Sequence, residues 1–288
     1  MFFRWDWLRP VLTAPVVPTL GPVHPGALTV GIFDDILRAA VTGDFLPYDK
    51  DQRWGGEKDE TVLSGDVVHQ PERTLIPTLT LRGSGTVKVF AYGHRDSVVD
   101  EAAELAAKLA TVHDVVNARV VRPLGPETGS PRGTRIQLKD FTARPCPAPG
   151  GPVRPVTDWP AAVQETFAPF AAAMAAEGLS FLHARMSAGR CGPVLAAVAE
   201  DRVVGAIGPM DVRPDAIGCP QLLPQYFAVL PEVRGQGLGR ALWRAAMHWG
   251  QSHGAAYQLL QTEVGGPSDR LCQSEGLASL GFSRTTRA

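Results

Sequence analysis

The stretch YFAVLPEVRGQGLGR, residues Tyr226–Arg240, decides the fold of the second half of the chain. Its apolar, β-type run ends at Pro231, and an arginine and three alternating glycines follow. The next segment, Leu238–Gly250, has its apolar residues at helical spacing. A strand, a glycine turn and a helix in this order point unpaired N–H groups and the positive end of the helix at an anion, above all a phosphate.

The glycines and arginines of this turn suit a phosphate. A Cβ atom at Gly237 or Gly239 is expected to hold the backbone away from an anion, whereas glycine allows a close approach. Arg234 and Arg240 place positive charge at both ends of the turn. The spacing R-G-x-G-x-G is neither the G-x-G-x-x-G of dinucleotide-binding folds nor a P-loop, which ends in Gly-Lys-Ser/Thr. The alternative is a glycine-rich surface turn that caps an ordinary helix.

The segment VLPEVRGQGLG, residues 229–239, resembles the signature loop of the GNAT superfamily, the acyl-CoA-dependent N-acyltransferases. In that family the loop cradles the diphosphate of coenzyme A. The elements around the loop follow the family's order, and Leu280-Gly281-Phe282 resembles its closing L-G-F. The resemblance covers roughly residues 153–287. It implies an α/β (α+β) fold class, with a mixed central sheet of GNAT type in this C-terminal domain.

A proline-rich segment divides the chain near its middle. Residues 144–155 read RPCPAPGGPVRP, which can form neither a helix nor a central strand and is typical of a semi-rigid spacer. We therefore predict two domains, residues 1–145 and 152–288. The first is expected to be a smaller or similar-sized α+β domain of unknown role. It lacks an R-x-x-G-x-G loop, so a degenerate GNAT-like copy stays open as an interpretation.

Hydrophobic periodicity predicts the elements of both halves. In the first half it predicts helices over 31–41 and 98–113 and strands over 74–81, 86–92, 115–121 and 134–141. In the second half it predicts helices over 159–178, 238–250 and 268–275 and strands over 193–200, 203–210, 222–230 and 257–264, followed by a last strand.

The resemblance implies a coenzyme A site made mostly of backbone. The strand before the loop offers N–H groups to the acyl carbonyl and the pantetheine arm; by position these residues are Phe227, Ala228 and Val229. The loop and the start of its helix would bind the diphosphate through Arg234, Gly235, Gln236, Gly237, Leu238, Gly239 and Arg240. Ser268, at the start of the next predicted helix, is also assigned to the coenzyme A site. Acetyl-CoA is thus the expected co-substrate.

Candidate catalytic residues lie on the flanking strands. Glu263 stands where some family members carry a catalytic glutamate, and its carboxylate could accept the amine proton directly or through water. The alternative is a solvated residue at a strand end. Tyr226, and beside it Gln225, could face the acceptor, although an aromatic residue on a strand is more often part of the core.

One position departs from the family pattern. Many members carry a tyrosine that is thought to protonate the departing thiolate, and Leu277 stands at that position here. A leucine cannot donate a proton, so another group or water must serve, or the reaction is slow or different. Ser268, Cys272 and Ser274 are the neighbouring candidates. Cys272 is a weak candidate nucleophile, because no histidine is near it in sequence.

Composition excludes several classes of function. A net charge of −1 gives no electrostatic case for nucleic acid, and no stretch approaches the ~20 apolar residues that span a bilayer. The cysteines, Cys146, Cys191, Cys219 and Cys272, show no C-x-x-C spacing, and the histidines show no metal-ligand spacing, so no metal is expected. The charged start does not resemble a signal peptide. We therefore expect a cytoplasmic protein that binds neither nucleic acid nor membrane.

These patterns predict an acyltransferase that transfers groups other than aminoacyl groups. The leading hypothesis is an N-acetyltransferase that moves an acetyl group by direct attack to a primary amine of a small molecule, peptide or protein. Two alternatives stay open: a catalytically silent acyl-CoA-binding module, and an acyltransferase that takes its acyl group from a carrier protein. The first half is expected to shape the acceptor site or an oligomer interface, such as that of a homodimer.

Overall fold

The protein has a mixed α/β fold, as the family resemblance implies. The computed structural model describes residues 4–129, 132–148, 151 and 153–288. Its helices are α1 (Trp5–Leu8), α2 (Val30–Thr42), α3 (Ser97–Val112), α4 (Ala161–Gln164), α5 (Phe167–Ala173), α6 (Leu179–Ser187), α7 (Leu238–Ser252) and α8 (Pro267–Ser274). In the part of the chain described, no helix combines the length and apolarity needed to cross a membrane.

Its strands comprise short and long segments. They are β1 (Val16–Val17), β2 (Gly21–Pro22), β3 (Glu60–Val62), β4 (Val68–Gln70), β5 (Arg73–Thr80), β6 (Thr86–Gly93), β7 (Asn117–Leu124), β8 (Thr134–Asp140), β9 (Val153–Pro155), β10 (Leu195–Ala199), β11 (Arg202–Gly208), β12 (Val212–Pro214), β13 (Pro220–Leu222), β14 (Tyr226–Val229), β15 (Tyr257–Glu263) and β16 (Ala278–Arg287).

The chain packs as two compact units that are interleaved in sequence. The first unit comprises Met1–Leu138, Asp215–Ile217 and Leu259–Ala288, and the second comprises Lys139–Pro214 and Gly218–Gln258. The last thirty residues thus pack with the first half of the chain. The predicted boundary at the proline-rich segment, of which positions 149, 150 and 152 lie outside the described residues, stays a prediction.

In the first unit, helices cover both faces of a mixed sheet. Because side chains alternate along a strand, β6 contributes to two separate cores. On one face Val87, Val89 and Ala91 pack with α3, whose buried residues include Val98, Ala102, Ala106 and Leu109. On the other face Phe90 and Tyr92 pack with α2 through Ile32, Phe33 and Ile36.

The last strand of the chain lies inside this sheet. β6 and β7 run parallel, and β16 pairs antiparallel with both β7 and β8. Thr285 of β16 lies opposite Val121 of β7, and Ala278 lies opposite Leu138 of β8. A strand from the C-terminal end therefore joins two strands of the first half, so the sheet of this unit requires both ends of the sequence.

The second unit contains an antiparallel sheet in the order β14-β11-β10-β9. Glu200 and Asp201 make the tight turn between β10 and β11 with positive φ angles, as the predicted hairpin requires. Helix α7 packs on this sheet so closely that a Cβ atom at Gly205 would lie 2.8 Å from a methyl carbon of Leu242. Glycine in the strand thus brings α7, and the turn before it, against the sheet.

The helix predicted over 159–178 forms as separate pieces. α4 ends at Gln164, and α5 restarts at Phe167, so that Pro169 falls in the first turn of a new helix. A proline there removes no helical hydrogen bond, whereas within a continuous helix it would remove one and clash with the preceding turn. Gly178 has the left-handed conformation and separates these pieces from α6, which the periodicity did not predict.

Candidate functional site

The strand predicted over 222–230 divides between two partners in the second unit. Its first part, β13, runs parallel to the start of β15, where Leu222 lies opposite Gln258. Its second part, β14, is antiparallel to β11, where Tyr226 lies opposite Gly208. The ladder with β15 therefore stops, and β14 becomes the edge strand of the four-stranded sheet.

The free edge of β14 presents backbone groups of Phe227 and Val229. In an antiparallel pair, successive residues turn their N–H and C=O groups alternately towards and away from the partner. The N–H of Leu230 donates to the carbonyl of Val204 at 2.9 Å, so Ala228 and Tyr226 also face β11. Phe227 and Val229 then direct their N–H groups outward, where they can donate to a carbonyl lying along the strand.

The glycine turn has the backbone that the sequence predicts, with one difference. Gly235 and Gly237 have φ angles of +81° and +82°, which glycine adopts without strain, and an added Cβ atom at either would meet no atom within 4 Å. Gly239 has no positive φ angle. A Cβ atom there would lie 3.5 Å from Cζ of Phe227, an ordinary van der Waals contact, so neither the backbone conformation nor the packing requires glycine at this position.

The helix N-terminus is available to an anion. Gly237 is the N-cap of α7 and, as a glycine, has no side chain that could accept hydrogen bonds from the first turn. The first N–H groups of this 15-residue helix, at its positive end, are therefore not capped by their own N-cap residue. Arg234 donates from Nε to the carbonyl of Val229 at 3.0 Å, which ties the turn to the end of β14. Arg240 and Gln236 are exposed, and Leu238 is half-buried.

Tyr226 is held by contacts within the second unit. Its ring lies against Gly178, where a Cβ atom would come within 2.5 Å of the ring carbons. The ring of Phe181 in α6 is 5.8 Å away, centroid to centroid. Gly178 is thus required by both its positive φ angle and the tyrosine ring. The side chain remains half-buried at the start of the edge strand.

The remaining predicted residues lie in the first unit. Glu263 is exposed at the end of β15, and Ser268 is half-buried in the first turn of α8. Leu277 is buried, with 9% of its surface exposed, so the position of the family's tyrosine is occupied by hydrocarbon. Burial, followed by the charge of Asp269, raises the pKa of Cys272 to about 11. The Cys272 thiol is therefore protonated near neutral pH and unsuited to nucleophilic attack.

The sequence did not predict a buried polar network that lies next to Glu263. The carboxylate of Asp269, 1% exposed, accepts hydrogen bonds from Arg135 Nε at 2.8 Å, the Gly265 N–H at 2.9 Å and Thr262 Oγ1 at 3.1 Å. These bonds fasten the loop after β15 to α8, and Arg135 comes from β8 of the first half. Asp269 is the third residue of α8, and an acidic side chain at this position often accepts hydrogen bonds from backbone N–H groups that precede the helix. This position was the local sequence signal for the network.

We expect Asp269→Asn to destabilise the first unit. Burial would raise the pKa of Asp269, but hydrogen bonds from Gly265 and Arg135 and the Arg135 charge outweigh it, so this pKa lies below its usual range. A lowered native-state pKa contributes stability above the unfolded-state value of roughly 4 and loses it as pH falls through the native-state pKa. Unpairing Arg135 should cost about 3 kcal/mol at pH 7.

Urea unfolding at a series of pH values checks this prediction, with Asp66→Asn as the control because Asp66 is exposed in the same unit. The difference between wild type and Asp269→Asn should shrink as pH falls below about 4. A constant difference from pH 7 to pH 2 would contradict the assigned charge.

Among the described residues, no group of three His, Cys, Asp or Glu side chains is placed to hold a metal ion.

One family model matches part of the chain. Residues 159–272 match the model of the acetyltransferase (GNAT) family. No curated protein matches the chain in sequence. Solved structures of similar fold include a GCN5-related N-acetyltransferase from Sphaerobacter thermophilus, with 15% identity, a TM-score of 0.46, and coverage of 75% of this chain and 80% of that one.

Two further structures match more of the chain. A tandem GNAT protein from the clavulanic acid biosynthesis pathway has 16% identity and a TM-score of 0.46, with 90% and 94% of the two chains covered. An acetyltransferase of the GNAT family from Colwellia psychrerythraea has 10% identity and a TM-score of 0.49, with 90% and 97% covered. Identities and TM-scores this low transfer no activity to this chain.

Proposed function

We infer that the chain carries a domain of the acetyltransferase (GNAT) family, whose model residues 159–272 match, and from this premise we propose that the protein moves an acetyl group from acetyl-CoA to a primary amine. Membership of this family implies acyl transfer in general, without specifying the acyl group or its acceptor. The acetyl group, the amine and direct attack are the finer parts of the proposal. The acceptor class spans small molecules, peptides and proteins.

The turn before α7 is the observation that carries the proposal. Gly235 and Gly237 leave open space around a backbone that only glycine adopts freely, and the first N–H groups of α7 have no side-chain cap. These features fit a diphosphate, which needs several N–H donors and a positive field. Arg234 and Arg240 are both exposed, and their positive charges can pair with the remaining phosphate of coenzyme A.

The edge of β14 suits the rest of the co-substrate. The outward N–H groups of Phe227 and Val229 are placed to bind the pantetheine arm and to polarise the thioester carbonyl, as an oxyanion site does. The small, buried Ala228 keeps this strand close to β11. Bound there, acetyl-CoA supplies the activated acetyl group, and the backbone supplies its orientation.

The proton transfers fall to few side chains. Glu263 is an exposed carboxylate that can take the amine proton directly or through water, and Tyr226 carries a hydroxyl at the start of the edge strand. Leu277 is buried and apolar and cannot supply the proton for the thiolate, so another group or water would have to donate it. The missing tyrosine also favours a second candidate function, a silent module that binds acyl-CoA without turning it over.

The first unit is not proposed to hold a second coenzyme A. The first 145 residues contain no R-x-x-G-x-G loop, which is the motif that the proposed site depends on.

We expect a calorimetric titration with acetyl-CoA to show one site per chain, and thiol release to follow when amines are added. Added salt should markedly weaken the affinity for acetyl-CoA, because salt screens the charged contacts to its phosphates. An acceptor panel of small amines, peptides and proteins then separates the two functions: release with any of them rejects the silent module. No heat of binding at millimolar acetyl-CoA would remove the enzyme proposal.

A further inference from the structure

The point where the strand 220–230 changes partner is held by two glutamine side chains of the second unit. Between Leu222, the last residue paired with β15, and Tyr226, the first paired with β11, three residues belong to neither ladder. The Leu223 N–H donates to the carbonyl of Asp211 at 2.9 Å, and Pro224 has no N–H group. The parallel ladder with β15 therefore ends at Leu222.

Side-chain amides take the place of that ladder. Nε2 of Gln225 donates to the Leu223 carbonyl. Nε2 of Gln258 donates to Oε1 of Gln225 at 2.7 Å and approaches the same carbonyl at 3.4 Å. The two amides therefore lie between the diverging strands, where they donate to the Leu223 carbonyl and bond to each other.

Packing alone does not explain Gln258. Its side chain is fully buried, and its Oε1 has no hydrogen-bond partner among the residues that the structure describes. A buried acceptor without a donor disfavours folding, so an aliphatic side chain of similar size would suit a purely structural position better. The amide is thus retained at a cost to stability, at the base of the edge strand that carries the proposed acyl-CoA contacts.

We propose that Gln258 and Gln225 are positioning residues that keep the base of β14 apart from β15, so that the free edge of β14 can receive the pantetheine arm. This inference rests on the proposed function. The pair acts on the arm and not on the nucleotide, because the glycine turn that faces the diphosphate lies beyond the other end of β14. Binding of the pantetheine arm to the edge of β14 and binding of the nucleotide to the glycine turn can therefore be measured separately.

The test compares acetyl-CoA with 3′-phosphoadenosine 5′-diphosphate, which has the diphosphate but lacks the arm. We expect Gln258→Leu and Gln225→Met to weaken acetyl-CoA binding about tenfold, the effect of misplacing roughly one hydrogen bond, and to leave nucleotide binding unchanged. Gln221→Leu is the matched control: its amide accepts a hydrogen bond from Tyr257 at 3.4 Å in the same strand pair, before the fork.

Each result has one meaning. Wild-type protein that binds neither probe refutes the proposed function itself. Wild-type binding with no change in either glutamine variant refutes the positioning role alone, as does an equal loss for both probes, which indicates general disruption. If Gln258→Leu does not fold, Gln225→Met decides, because Gln225 is half-buried and water can replace its bonds.

Discussion

Gly237→Trp is expected to abolish measurable binding of acetyl-CoA while the chain stays folded. The glycine adopts φ +82°, and an added Cβ atom has no atom within 4 Å, so an indole can be attached without a clash at Cβ and would fill space around the turn. It would keep a diphosphate from the first N–H groups of α7. Losing two hydrogen bonds to a charged group costs roughly 3–6 kcal/mol, which corresponds to at least about a hundredfold in affinity.

Gly254→Trp provides a matched control for this variant. Gly254 follows the C-terminal end of the same helix, has φ +83°, and likewise has no atom within 4 Å of an added Cβ. Both variants carry the same left-handed strain of about 1–2 kcal/mol, so thermal unfolding should shift by similar amounts. Only Gly237→Trp should lose binding in calorimetry. Equal affinity in the two variants would show that the turn does not hold the diphosphate.

Expressing the halves of the chain separately, as residues 1–148 and 153–288, is expected to give two proteins that do not fold. β16 lies between β7 and β8, with six residue pairs to β7 and five to β8. At about 0.5–1.5 kcal/mol for each backbone hydrogen bond, removing this strand costs as much as the roughly 5–15 kcal/mol that stabilises a whole domain. The second half in turn loses β8, which neighbours both β15 and β16.

Circular dichroism and amide NMR spectra of each half test this expectation, and co-expression of the halves serves as the control. Co-expressed halves should associate, because each supplies the strand that the other lacks. Exposed strand edges in the separate halves should also promote aggregation. A cooperative thermal transition in the isolated first half would contradict the proposed dependence on β16.

Much of the fold followed from local patterns. The helices α3 and α7, the hairpin β10–β11, and β15 followed by α8 all lie close to the predicted ranges, because each carries its own periodicity or turn residues. The mixed sheet of the second half was implied by family resemblance. The prediction of one continuous helix over 159–178 was wrong, because a proline at position 169 is compatible with the first turn of a new helix but not with the interior of a continuous one.

The candidate site was predictable only in part. Its central turn is local: strand, glycine and helix lie within fifteen residues, so composition and spacing were enough to indicate an anion site. The network around Asp269 and the amide pair at Gln258 were not predictable. Their partners lie 134 residues apart for Arg135 and Asp269, and 33 apart for Gln225 and Gln258.

By itself the sequence indicated where the proposed anion-binding turn lies, because backbone conformation and helix capping depend on neighbours along the chain. The tertiary structure alone decided that β16 enters the sheet of the first half and that the strand 220–230 forks at Leu223. Those features arise from hydrogen bonds between distant segments, and no periodicity in either segment specifies its partner.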